Sequence, residues 1–285
     1  LRDFDLAAAS LSLENDYWYL PAILARGGLA PLGADRDEND PPVLAGGVAV
    51  WANPWPVMPF VDLILAGEAE AQWPELISAW DAIRCSPLPK PDLLRLLSPK
   101  TPGTLHPGDS AEPPASPGRG FGLFFESGQN GPQVMPRVRP AALAWPPPED
   151  LLPPVSPILS SKAEFADTRL VEISRGCPYG CRFCLAGFIF RPHRPWPMDK
   201  IMAALGSPEA VGEKVGLVSP AAADHPQLAE MLDLLFEQKR VVTLSSLRLS
   251  ALTPALAEKL AAGRLLGAAV APEGGRQRLR DRLDQ

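Results

Sequence analysis

The stretch "LVEISRGCPYGCRFC", residues 170–184, joins a run rich in β-formers to a loop that holds three of the chain's four cysteines. Its first five residues have the composition of a buried strand. The next ten place Cys177, Cys181 and Cys184 at the spacing C-x3-C-x2-C, directly beyond the strand's end. In open α/β sheets and in barrels alike, ligands sit where loops leave the carboxyl ends of strands, so the cysteines stand where chemistry is expected. Gly176 and Gly180, with Pro178, permit a tight loop and let three sulfurs point at one centre.

Working outward, the pattern of that strand repeats. "VGLVSP" (215–220), "VVTLSS" (241–246) and "LGAAVAP" (266–272) read as further strands with helices between them. Leu228, Met231, Leu232 and Leu235 form a helical apolar stripe. Thr253 and Pro254 have the chemistry of an N-cap and a first helical residue, and Gly263 suits the stop. Four βα units in a row fit a doubly wound sheet or part of a barrel, and periodicity does not choose between them. Towards the amino end, "DLAAASLSL", "PPVLAGGVAV" and "VDLILAGEAE" read as strands, with helices predicted at "DYWYLPAILARGG" and "AQWPELISAW". The alternation predicts a small α/β layer over residues 1–85. Between the two regions lie 18 of the chain's 35 prolines, from Pro87 to Pro157. Proline removes backbone donors and is excluded from helix interiors, so residues 86–165 read as a Pro-rich connector, with "FGLFFE" as one strand candidate. Residues 166–285 form the second α/β region.

Composition narrows the function classes. The chain has 285 residues, 46% apolar and 21% charged, as expected of globular domains. Apolar runs such as "FVDLILAG" fall short of the ~20 residues needed to span a bilayer, and no leader pattern is visible, so the expected location is cytoplasmic, away from membranes. A net charge of -6 argues against a general nucleic-acid surface. The chain begins at Leu1 rather than Met and reads as a fragment.

Four explanations compete for three close thiols. Disulfides leave one thiol unpaired and suit an oxidising compartment. A structural zinc site needs four ligands, and the nearby fourth is His193. Chance core cysteines would not be expected to gather at one strand end; Cys85, apart from them, reads as a structural residue. An iron–sulfur cubane held by three thiolates keeps one iron open for a substrate or cofactor, which gives a use for three ligands rather than four.

On these residues the chain resembles radical S-adenosylmethionine (radical SAM) enzymes. "RGCPYGCRFC" is similar to their signature loop, with Phe183 as the aromatic residue before the third cysteine. "GLVSPAAADHP", "LSSLRLSALTPALAEKLA" and "AVAPEGGRQRLR" look like later pieces of the same barrel in enzymes with an amino-terminal cobalamin-binding-type domain, and the stretch from "LSLENDYWYLPAILARGG" to "FVDLILAGEAEA" looks like the end of that domain. The resemblance implies a partial Rossmann-like amino-terminal domain, the connector, and an incomplete radical SAM (β/α) barrel of four units. It implies Cys177, Cys181 and Cys184 as ligands of a 4Fe-4S cluster whose open iron binds S-adenosylmethionine. That cofactor is cleaved to a 5'-deoxyadenosyl radical, with an electron donor such as a flavodoxin or ferredoxin as partner. Phe183, Ser219, Asp224, Ser246, Arg248 and Glu273 are the implied cofactor-binding candidates, although "VSPAAAD" replaces the family's Gly-Gly-Glu stretch. Cobalamin also enters through the resemblance, but residues 1–85 contain no histidine to match the family's usual cobalt ligand; Gly46, Gly47 and Gly67 mark strand ends where a ligand could approach. Two other functions share the loop: a methylthiotransferase acting on RNA or a ribosomal protein, against which stands the single upstream cysteine, and a non-catalytic zinc-binding module.

Overall fold

The structure, a computed structural model, describes residues 1–86, 88, 90–97, 104–105, 125–128, 131–134, 142–207, 212–263 and 265–283. The chain divides into two compact units, Leu1–Pro147 and Pro148–Gln285, with the division inside the stretch read as connector.

In the first unit the alternation of apolar residues becomes a layered α/β fold. Strand β1 (Ala7–Ser10) is followed by helix α1 (Asp16–Arg26), β2 (Val43–Gly46), the short helix α2 (Val48–Ala52), β3 (Leu63–Leu65) and α3 (Ala69–Ile83). Helix α4 (Lys90–Leu97) and β4 (Thr104–Leu105) complete the sheet region, and β5 (Phe125–Gly128) pairs with β6 (Gly131–Val134) as a hairpin. The sheet order is β1-β2-β3-β4, with β1 to β3 parallel and β4 antiparallel. Successive side chains of a strand point to opposite faces. Accordingly Val43, Ala45 and Ile64 pack with Leu20 and Leu24 of α1, while Leu44, Leu63 and Leu65 pack with Leu76 and Trp80 of α3 and Leu94 and Leu97 of α4. Both faces of β2 and β3 are covered, which is why they carry unbroken apolar runs.

Two sequence expectations need correction here. "GGVAV" continues the strand pattern, yet Val48–Ala52 is helical. Residues 90–97, placed by composition in the connector, form a helix whose Leu93, Leu94 and Leu97 are buried. The reason is positional: Pro91 is the second residue of that helix, and a first-turn proline removes only an N–H that has no helical partner. Of "FGLFFE", Phe121–Phe124 lie outside the described residues, as does most of the connector.

The second unit contains β7 (Thr168–Glu172), β8 (Ser174–Arg175), α5 (Ala186–Ile189), β9 (Arg194–Pro195), α6 (Met198–Leu205), β10 (Lys214–Val218), α7 (Leu228–Glu237), β11 (Val241–Arg248), α8 (Pro254–Ala262), β12 (Leu265–Ala271) and α9 (Gln277–Leu283). Its main sheet is parallel in the order β7-β10-β11-β12: each strand neighbours the next, and the order does not reverse. The buried stripe of α7, Leu228, Met231, Leu232 and Leu235, covers it, and Thr253 caps α8 by accepting the Leu256 N–H at 3.2 Å. Residues 154–156 pair antiparallel with the outer edge of β7, through Ser156 N to Leu170 O at 2.9 Å and Glu172 N to Pro154 O at 3.0 Å, and so cover an otherwise open edge.

At the amino ends of β10 and β11 the unit buries charge. Glu213 accepts from Arg169 Nε at 2.9 Å and lies 3.8 Å from Arg240, whose side chain is fully buried. Removing one partner of a buried ion pair leaves the other uncompensated. Glu213→Gln is expected to lower unfolding free energy by roughly 3–5 kcal/mol. Urea denaturation measures it, and a loss below the size of a surface substitution would show that the two arginines are held by other groups.

Candidate functional site

The carboxyl end of β7 is where the site is built. Ile173 N donates to Val218 O and Trp196 N to Ile173 O, both at 2.9 Å, so the chain leaving β7 stays tied to β10 on one side and to the returning segment on the other. The ladder of β8 with β9 pairs Ser174 with Pro195 and Arg175 with Arg194, folding residues 185–195 back across the cysteine loop. Arg175 makes a two-pronged bond to Glu172, at 2.8 and 3.0 Å, and lies over the Trp196 ring. Gly176 then turns the chain with φ +74, packed so closely that a Cβ there would lie 2.3 Å from the carbonyl oxygens of Phe190 and Pro192.

Cys177, Cys181 and Cys184 follow, all half-buried free thiols, with a turn closed by Cys184 N to Cys181 O at 3.0 Å. Burial pushes the Cys177 thiol up, a backbone hydrogen bond from Tyr179 pulls it down, and Cys181, Cys184 and Asp224 push it up. The three sulfurs do not meet at a point as the sequence reading expects: among the described residues no three His, Cys, Asp or Glu side chains gather for one metal ion. The distinction has chemical content. A single zinc holds every ligand at ~2.3 Å or less from one centre, whereas a cubane takes one thiolate on each of three different irons. His193, the fourth ligand that a zinc site would need, instead bonds Ser174 through Nε2 at 3.1 Å. The three thiols are free and share one strand-end loop.

Around the loop the sheet contributes a polar rim. The Tyr179 hydroxyl donates to Asp224, in a 3-10 turn after β10. Arg248, at the end of β11, lies 3.4 Å from the centre of the Tyr179 ring, and its Nε is buried without a hydrogen-bond partner. Arg191 donates to the Tyr179 carbonyl at 2.8 Å. Burial raises the Tyr179 phenol above its usual range, and the Asp224 bond adds to this. Ser219, 6% exposed, shares a 2.5 Å bond with Ser174 and accepts the Ala221 N–H at 2.9 Å. Ser219, Asp224 and Arg248 thus belong with the cysteine loop. Phe183 is on the loop but 51% exposed; Glu273 is exposed at φ +52 and enters none of these bonds; the side chain of Ser246 lies outside the described ones. Tyr179, Ser174 and His193 were not singled out from sequence for these contacts. The signal for Tyr179 was an aromatic ring inside the thiol loop, which alone does not say what it meets.

In the first unit, Gly46, Gly47 and Gly67 border a groove of about 260 Å³ at the carboxyl ends of the parallel strands. Its walls are alanines, leucines, Ser10, Gln72 and Trp73, with no imidazole or thiol to ligate cobalt. This donor set does not fit cobalamin coordination.

The structure thus shows a three-thiol loop beyond the first strand of a parallel sheet, in a two-unit α/β chain. Residues 1–107 match the family model for the N-terminal region of radical SAM proteins. The chain is similar, at 26% identity over 288 aligned positions, to an uncharacterized protein of Methanocaldococcus jannaschii; the alignment takes in 99% of this chain and 52% of that protein. The chain therefore spans about half the length of the curated relative it matches. The family match ends before the cysteine loop. No helix among the described residues is long and apolar enough to cross a membrane.

Proposed function

We propose that this chain carries the cofactor-binding core of a radical SAM enzyme, with Cys177, Cys181 and Cys184 as the three protein ligands of a 4Fe-4S cluster and S-adenosylmethionine on the open iron. The observation that supports the reading is three free, half-buried thiols on the loop leaving β7, whose Tyr179 meets Asp224 and Arg248. When bound, the cluster supplies the electron that cleaves S-adenosylmethionine to a 5'-deoxyadenosyl radical, and a reduced flavodoxin or ferredoxin suits the role of donor. The protein's part is to bind, orient and shield. Arg248 offers a buried, unpartnered Nε to a carboxylate or ribose oxygen, and the Tyr179 ring fixes the plane of its guanidinium. Asp224 offers carboxylate charge to an ammonium group, and Ser219 a hydroxyl. The sequential order of β7, β10, β11 and β12 suits the start of a (β/α) barrel, in which all these groups stand on the catalytic face.

The test is direct. Cluster-loaded, reduced protein given S-adenosylmethionine is expected to release methionine and 5'-deoxyadenosine, and no release from a loaded and reduced sample sinks the reading. Arg248→Leu should weaken S-adenosylmethionine binding roughly ten- to hundredfold, the value of a hydrogen bond to a charged group. Equilibrium binding to the loaded protein measures it, with iron content unchanged.

A further inference from the structure

One hydrogen-bonded chain in the second unit runs from the segment that returns from the cysteine loop to Ser219. It begins at His193, half-buried on the segment that returns from the cysteine loop, whose Nε2 lies 3.1 Å from Ser174 Oγ. Ser174, fully buried, lies 2.5 Å from Ser219 Oγ. Ser219 is fixed from two sides: its Oγ accepts the Ala221 N–H at 2.9 Å, and its carbonyl accepts from Ser245 Oγ at 2.8 Å. Each hydroxyl is both donor and acceptor, and each imidazole nitrogen can be either, so the three groups support two opposite orders of hydrogen bonds. His225, the other described histidine, is different. Its Nε2 donates to Trp196 O at 3.0 Å while Nδ1 accepts the Gln227 N–H at 3.1 Å, which fixes one tautomer. Burial pushes His193 below its usual range against the pull of Asp224, with His225 adding to the burial effect, so the ring is neutral near pH 7.

We propose that His193, Ser174 and Ser219 form a proton relay joining the half-buried rim of the cysteine loop to the floor of the site. A proton taken up at His193 Nδ1 lets the Nε2 proton pass to Ser174 Oγ, the Ser174 proton to Ser219 Oγ, and the Ser219 proton to a basic oxygen or nitrogen of a bound molecule. One proton enters and one leaves, no electron moves, and the ring ends in its other tautomer. The relay serves a radical reaction that must gain or lose a proton at a site shielded from water. That use rests on the function proposed above, whereas the relay itself does not.

The experiment reads the tautomer of His193 by imidazole nitrogen–hydrogen correlation spectroscopy on the purified chain without iron. The chain has only three histidines, and His193→Gln assigns the signal. The expected result is a His193 ring averaged between its two tautomers. Ser219→Ala, which removes an atom not bonded to the ring, should displace both ring nitrogen shifts toward one tautomer, as Ser174→Ala does. The His225 signals should keep one tautomer throughout and certify the fold. A single fixed tautomer of His193 in the unmodified chain, or nitrogen shifts untouched by Ser219→Ala, overturns the relay. Because no cluster is present, this outcome is separate from failure of the radical reading, which shows as absence of 5'-deoxyadenosine.

Discussion

Replacing Cys177, Cys181 and Cys184 together by alanine is expected to abolish the uptake of iron and inorganic sulfide when the protein is reconstituted anaerobically. The unmodified chain should take up both in equal amount and acquire the broad visible absorbance of thiolate-bound iron. The effect is large because, among the described residues of the second unit, these three are the cysteines, and His193 is engaged with Ser174. The variant should remain folded. All three side chains are half-buried on a loop and none belongs to the apolar core, so each substitution should stay close to the ±0.5 kcal/mol usual away from cores. Iron and sulfide analysis beside a thermal melt separates the two effects. Equal iron and sulfide in variant and unmodified chain would remove the ligand assignment altogether, and zinc uptake without sulfide by the unmodified chain would redirect it to the mononuclear reading.

Much of the fold was legible because the signals were local. The strands β7, β10, β11 and β12 and the stripe of α7 follow from residue spacing, since a period of two or of 3.6 is written within a few neighbours. The misses have equally physical causes. Val48–Ala52 has the composition of a strand, but backbone pairing already ends at Gly46, and helical geometry takes over. Helix α4 was hidden by proline counting, because counting ignores that Pro91 falls in a first turn. At the site, the thiol spacing is local and was read directly. Tyr179 was not, because its meaning comes from Asp224, 45 residues away, and from Arg248 on another strand. The triad exists only once three strand ends stand side by side, which no window of sequence displays.

The seat of the loop offers the sharpest test of the geometry. Gly176→Ala is expected to destabilise the second unit and to strip the chain of its capacity to hold a cluster, although no ligand is altered. Two costs combine. The backbone at φ +74 is left-handed, which costs an alanine about 1–2 kcal/mol. The new methyl group would also stand 2.3 Å from the Phe190 and Pro192 carbonyl oxygens, which are backbone atoms held by the β8–β9 ladder and cannot rotate away as a side chain would. Relief requires that the loop and the returning segment separate, and Cys177 is the next residue, so the displacement falls on a proposed cluster ligand. Gly212→Ala is the control: its φ is +85, also positive, but open space surrounds the position of a Cβ. It should show the backbone cost alone, about 1 kcal/mol in urea denaturation, with full iron and sulfide uptake. If both variants lose the same stability and both take up iron and sulfide like the unmodified chain, then the close approach at Gly176 does not fix the cysteine loop, and the placement of Cys177 must come from contacts further along, at Tyr179 and Arg191.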